Sequence, residues 1–219
     1  MIKTTLGLRR FDKNHILLEE IKKPSRSWLK HFFDLMYEPL GYGTNTLALI
    51  NDYGGVARTL AIWGGGNEYN ANLQCNSTGG GTIHAIWGGG GSSYSNSAPL
   101  DGALIGIVIG TGVGAVAPTN DSLGTRIVHG EGAGQMLYGG CELFALTFAN
   151  PNGSFVIRRY FTNESGGGIT VSEVGIHSPA RAGAGNLSYL FCIARDLTGG
   201  VLVNDTELLE VTYTAQITV

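Results

Sequence analysis

The stretch Leu209-Glu-Val-Thr-Tyr-Thr-Ala-Gln-Ile-Thr-Val219 decides the fold class. Leu209, Val211, Tyr213, Ala215, Ile217 and Val219 alternate strictly with Glu210, Thr212, Thr214, Gln216 and Thr218. A period of two places the first set on a buried face of a strand and the second on a wet face. Working back along the chain, apolar runs recur between glycine-rich turns. They predict strands at 46–51, 56–63, 81–87, 103–109, 141–149, 154–162, 168–176, 187–195 and 207–219. Many strands, short turns and almost no helical periodicity predict a mainly β chain, with a β-sandwich or jelly-roll-like body.

One segment reads as a helix, Ser25-Arg-Ser-Trp-Leu-Lys-His-Phe-Phe-Asp-Leu-Met-Tyr37. Trp28, Leu29, Phe32, Phe33 and Met36 fall on one side of a 3.6-residue period. Pro24 and Ser25 give start signals, and Pro39 and Gly41 give a stop, so the helix is expected over about 26–37. Its face of Trp28, Phe32, Phe33 and Met36 is expected to be buried, on the β body or on a neighbouring subunit.

Charge divides the chain around this helix. Residues 1–40 carry 8 basic and 5 acidic side chains, whereas residues 41–219 carry 6 arginines and 12 acids. The expected organisation is a basic N-terminal arm over 1–45 followed by a glycine-rich β body over 46–219, with 46–100 as a candidate inserted or peripheral β region. The arm's charges either face solvent or dock on an acidic neighbour.

Composition narrows the function classes. Of 219 residues, 35 are glycine, 43% are hydrophobic and 14% are charged. That combination is the reverse of a disordered chain, and the glycines have no collagen period. A net charge of −3 argues against a partner held by phosphate neutralisation, so no nucleic acid is expected. No apolar run reaches the length of a membrane-spanning helix. The N-terminus has no apolar signal-peptide core, and synthesis in a cytoplasm is expected. Cys75, Cys141 and Cys192 have neither metal spacing nor an even count, so buried thiols are expected.

Ala61-Ile-Trp-Gly-Gly-Gly recurs as Ala85-Ile-Trp-Gly-Gly-Gly. Two copies are too few for a solenoid. A pair of similar strands ending in Trp63 and Trp87 accounts for them, followed by loops Asn67–Asn76 and Gly91–Ser97. With Tyr53, Tyr69 and Tyr94, these loops have the composition of an adaptable binding surface or of ordinary polar loops.

The catalytic patterns do not assemble. Gly110, Gly112 and Ala115 fit G-x-G-x-x-A, but Pro118 and Asn120-Asp-Ser122 break the helix that a dinucleotide site needs, so a tight loop is expected. There is no G-x-S-x-G, and His15, His31, His84, His129 and His177 are scattered singly. No catalytic residue, metal or cofactor is expected. Arg159, Glu173 and Arg195 instead interrupt strands that are otherwise apolar. Either they form a cross-strand ion pair, Glu173 with Arg159 or Arg195, or each faces water.

Beyond single residues, Gly106-Ile-Val-Ile-Gly-Thr-Gly-Val-Gly-Ala-Val-Ala-Pro-Thr-Asn-Asp-Ser-Leu123 resembles a recurrent element of tailed-bacteriophage structural proteins. The resemblance continues through Ile127–Gly139 and Phe155–Ile176 and closes with Ala194-Arg-Asp196 and Leu209–Thr214. It implies a non-enzymatic virion building block folded as a β-sandwich, and no catalytic residue. The partners it implies are other virion proteins and further copies of the chain, with a trimer the first expectation. A tail, fibre or baseplate position is expected, with a capsid-surface decoration protein as the alternative. The loop composition leaves open a lectin-like module that takes a host-surface glycan, or a self-assembling extracellular fibre subunit.

Overall fold

The computed structural model describes residues 2–25, 28–37, 49–59, 74–75, 84–85, 104–145, 147–149, 151–182 and 187–218. Their elements are β1 (Ile2–Phe11), β2 (Leu17–Ser25), α1 (Lys30–Tyr37), β3 (Leu49–Asn51), β4 (Ala57–Thr59), β5 (Gln74–Cys75) and β6 (His84–Ala85). The C-terminal half supplies β7 (Gly106–Gly110), β8 (Leu137–Leu143), β9 (Thr147–Ala149), β10 (Asn152–Thr162), β11 (Ile169–Ala182), β12 (Leu187–Val203) and β13 (Leu208–Thr218). The described residues are mainly β, with one short helix among them.

Two antiparallel sheets share one hydrophobic core, as in a β-sandwich. The larger has the order β2-β1-β13-β10-β8, with β9 also on β10; the smaller has the order β12-β11-β7. The alternation that announced β13 is realised in its first half, where Leu209, Val211 and Tyr213 are buried, facing inward with Leu6 and Leu8 of β1 and Ile157 and Phe161 of β10. Against the expected pattern, Ile217 is 49% exposed beyond the core, and Glu210, expected to be wet, is buried under its arginine neighbours on the outer face. The smaller sheet contributes Ile107, Ile109, Val174, Ile176, Phe191 and Ile193. Its central residues are covered on both faces, so 171–178 and 190–196 are buried throughout, including the polar Ser172, Glu173, His177, Ser178, Arg195 and Asp196.

Three expectations are corrected. Residues 2–25 were expected to belong to a basic arm, but they form β1 and β2, and β1 lies between β2 and β13 in the larger sheet. The reason is the inward row Thr4, Leu6 and Leu8, a period-two face that the neighbouring charges obscure. The helix begins at Lys30 instead of near residue 26. Trp28 and Leu29 precede it as extended chain: Trp28 bridges Ala194, and the Leu29 N–H donates to Ile193 O at 2.9 Å. The expected strand at 141–149 is two strands, β8 and β9, with Phe144 between them.

The later helix positions follow from that start. Leu29 is buried, and Trp28 and Phe32 pack partly buried against the core. Phe33 lies about 100° around the helix from Phe32 and is 61% exposed, contrary to the expected buried face. The Met36 side chain lies outside the described residues, as do Trp63, Trp87, Tyr69, Tyr94, the loop Gly91–Ser97 and all of Asn67–Asn76 except Gln74–Cys75, which form strand β5 in place of the expected loop.

Candidate functional site

The most organised polar assembly is buried where β11 passes β7. Glu173 stands opposite Gly110 in the ladder and is fully buried. Its carboxylate occupies space left by missing side chains: a Cβ on Gly110 or Gly112 would overlap it. Four donors converge on its two oxygens. The Gly112 and Thr125 N–H groups reach Oε1 at 3.0 and 2.8 Å, and the Gly124 N–H reaches Oε2 at 3.0 Å. Arg195 Nε completes the set at 2.7 Å from Oε2.

Arg195 is itself 3% exposed along its side chain. Its remaining donors run into the loop that follows β7: Nη1 to Asn120 Oδ1 at 2.9 Å and Nη2 to Gly114 O at 3.1 Å. Asn120 Oδ1 also accepts the Ala117 N–H at 2.8 Å. One ion pair therefore ties down residues 112–125 at both ends and in the middle. Burial works to raise the Glu173 carboxyl, but the Thr125 and Gly124 N–H groups and the Arg195 charge outweigh it, holding the group ionised below its ordinary range.

Arg159 is not the partner of Glu173. Its guanidinium joins the two sheets through backbone carbonyls: Nε to Gly139 O at 2.7 Å, and Nη1 to Ile105 O and Ile107 O at 2.9 and 3.0 Å. It also lies 5.0 Å from the Tyr138 ring centroid. Thus, of the three charged residues singled out from the sequence, Glu173 and Arg195 meet, and Arg159 performs a separate clamping role.

A third polar cluster, unmarked by any sequence pattern, lies around Asp196. Asp196 Oδ2 accepts from Ser25 Oγ at 2.7 Å and from Tyr213 OH at 3.1 Å, linking β12, β2 and β13. Burial, with the Asp196 charge, pushes the Tyr213 hydroxyl well above its ordinary range, so it stays a donor. His177 is buried in β11, opposite Cys192 of β12 and Gly106 of β7. Its Nδ1 lies 3.2 Å from Leu104 O, whereas Nε2, like the neighbouring Ser178 Oγ, has no hydrogen-bond partner among the described residues. Burial, helped by the Arg126 charge, lowers the imidazole to about 4, so it is neutral near pH 7.

Cys141 and Cys192 are buried free thiols. Burial pushes Cys192 up to about 12 and Cys141 upward as well, which keeps both in the unreactive thiol form. Among the described residues, no three His, Cys, Asp or Glu side chains converge as metal ligands, and no helix is long and apolar enough to cross a membrane. Gly110 ends β7 and Gly112 lies in the expected loop directly after it, with no helix following before β8.

The outer face of the larger sheet carries a stripe of alternating charge. Glu20 meets Arg9 at 2.8 Å, Arg9 reaches Glu210 at 3.5 Å, Glu210 reaches Arg158 at 3.8 Å, and Arg158 meets Glu142 at 2.7 Å. The stripe crosses all five strands from β2 to β8, and the Arg158 guanidinium lies 4.6 Å from the Phe144 ring centroid. Register explains it: each charged residue stands opposite, or one strand diagonal to, its partner.

Glu173 spends its lone pairs on backbone N–H groups and Arg195, and Arg159 spends its donors on carbonyls. No family model matches the chain, and neither a curated protein nor a solved structure is similar enough to it to be matched.

Proposed function

We propose that the chain is a non-enzymatic structural subunit of a tailed-phage virion, a tail, fibre or baseplate-associated part that self-associates and contacts other virion proteins. The observation that carries this reading is the use made of buried charge. Glu173 is saturated by four hydrogen bonds and Arg195 by partners around the glycine loop, so both rigidify a scaffold. A reacting group needs free lone pairs or a donor aimed at substrate.

The sequence blocks that resemble phage structural proteins support the reading from another side. The block Gly106–Leu123 supplies β7 and the loop, Phe155–Ile176 supplies Arg159 and Glu173, and Ala194-Arg-Asp196 supplies Arg195 and Asp196. Segments far apart in the chain thus meet in one polar framework between and around the two sheets.

Protein mass spectrometry on particles of the phage that encodes the chain tests the proposal. The chain should co-purify with intact particles through a density gradient at a fixed ratio to the other virion proteins. Recovery only from the soluble fraction of the lysate would contradict it.

A further inference from the structure

Strand β2 is an edge of the six-stranded sheet: it pairs with β1 and, in the described strand order, with nothing on its other side. Open edges invite pairing, and charged residues and proline are the usual protection. Here the charges are arranged as a palindrome, Leu17-Leu-Glu-Glu-Ile-Lys-Lys-Pro24. We propose that this edge is a docking surface for the β2 edge of a second copy, in antiparallel pairing about a twofold axis through Ile21.

In that register Glu20 stands opposite Lys22 of the second copy and Glu19 opposite its Lys23. The two members of each pair lie on the same face. Glu20 and Lys22 lie on the outer face with Arg9 and Gly7, and Glu19 and Lys23 lie on the inner face with Arg10 and Leu6. Directly opposed residues of unlike charge stabilise a ladder, and like charges destabilise it. By symmetry each pair occurs twice.

The same charges repel in the competing registers. Parallel in-register pairing sets Glu19 and Glu20 against themselves and Lys22 and Lys23 against themselves. Antiparallel pairing centred on Glu20 or on Lys22 brings two identical charges together at its centre. One register is therefore selected and the others are opposed, which is how charge confers specificity on strand pairing. Leu18, 46% exposed, then packs opposite Pro24 of the second copy, and the missing N–H of Pro24 ends the ladder at that point.

Within one copy Lys22 Nζ sits 2.9 Å from Glu20, an exposed same-strand contact that the second copy's Lys22 can share. Arg9 and Arg10 hold Glu20 and Glu19 at 2.8 and 3.3 Å, so the carboxylates are already positioned along the edge. Joining the edges makes one continuous sheet from two six-stranded sheets. The unit is then a twofold pair and not the trimer expected by analogy. The inference rests on the self-associating subunit proposed above and names its contact.

Sedimentation velocity on the full chain tests it with two variants of equal charge change. Lys22→Glu/Lys23→Glu leaves the Arg9 and Arg10 bridges intact and should weaken the dimer by at least about tenfold. Lys3→Glu/Lys13→Glu alters two exposed lysines off the edge and should leave the dimer in place. Raised salt should weaken the wild-type dimer. Wild type that stays monomeric up to its solubility limit would overturn the proposal, as would equal weakening by both variants. If wild type associates and Lys22→Glu/Lys23→Glu associates equally well, the edge contact falls while self-association stands. The particle measurement above decides the virion reading independently of all these outcomes.

Discussion

Glu173 shows how far hydrogen bonding can oppose desolvation at a single residue. Taken alone, burial would neutralise it, yet three N–H groups and Arg195 keep it charged. Removing the charge leaves Arg195 buried without its counter-ion. Glu173→Gln should therefore lower unfolding stability by about 3–5 kcal/mol, read from the urea midpoint at unchanged m-value. A loss within about 0.5 kcal/mol, the ordinary range for a surface change, would contradict the buried pair. The pH dependence has two parts. A carboxyl lowered in the folded state contributes stability above its unfolded value, and that contribution fades as pH falls through the lower folded value. His177 acts at higher pH. Its folded value of about 4 lies below the ordinary 6.5, so the unfolded chain takes up the proton first and stability falls as pH drops from 6.5 toward 4. Wild type should be about 2 kcal/mol less stable at pH 5 than at pH 7 through His177 alone. His177→Gln should flatten that limb, measured by denaturation at the two pH values; an unchanged slope would contradict the neutral buried imidazole.

At the scale of elements, α1 docks through the residues that lead into it. Leu29 is buried with its N–H on β12, and Trp28 Nε1 donates to Thr4 Oγ1 of β1 at 2.9 Å. Leu29→Ala should therefore cost about 2–5 kcal/mol, whereas Phe33→Ala, on the exposed side, should stay within about 0.5 kcal/mol. Thermal or urea unfolding of the two variants checks the order, and a larger loss for Phe33 would reverse the assignment. The difference between expected and observed faces shows what the sequence carried. Period two in β13 was legible because every second residue from Leu209 to Tyr213 meets the core. The helix was legible as a helix, but its phase depended on where it starts, and Trp28 is held in an extended bridge by a strand remote in sequence. β1 and β2 were obscured because their charges form cross-strand pairs such as Arg9–Glu20 and Arg10–Glu19, which look in sequence like a solvated basic tail.

For the whole molecule, the buried pair was legible as a pattern but its partner choice was not. Arg159 and Arg195 both interrupt apolar strands, and only the stacking of two sheets shows that one faces carbonyls of β7 and the other faces Glu173. The glycines of the G-x-G pattern likewise acquired a purpose only in three dimensions: Gly112 makes room for a carboxylate and donates to it. Two sheets joined by Arg159, a loop fixed by Glu173 and Arg195, and three strands linked at Asp196 amount to a rigid scaffold. Such a framework suits a part that holds its shape within a larger assembly. In it the loop over 112–125 is a fixed part of the core, although much of it lies at the surface. Native-state amide hydrogen exchange measures this directly. The Gly112, Gly124 and Thr125 amides should exchange as slowly as those of β11 in wild type, and should become fast in Glu173→Gln while the amides of β1 and β13 remain protected. Fast exchange at those three amides in the wild-type protein would contradict the account.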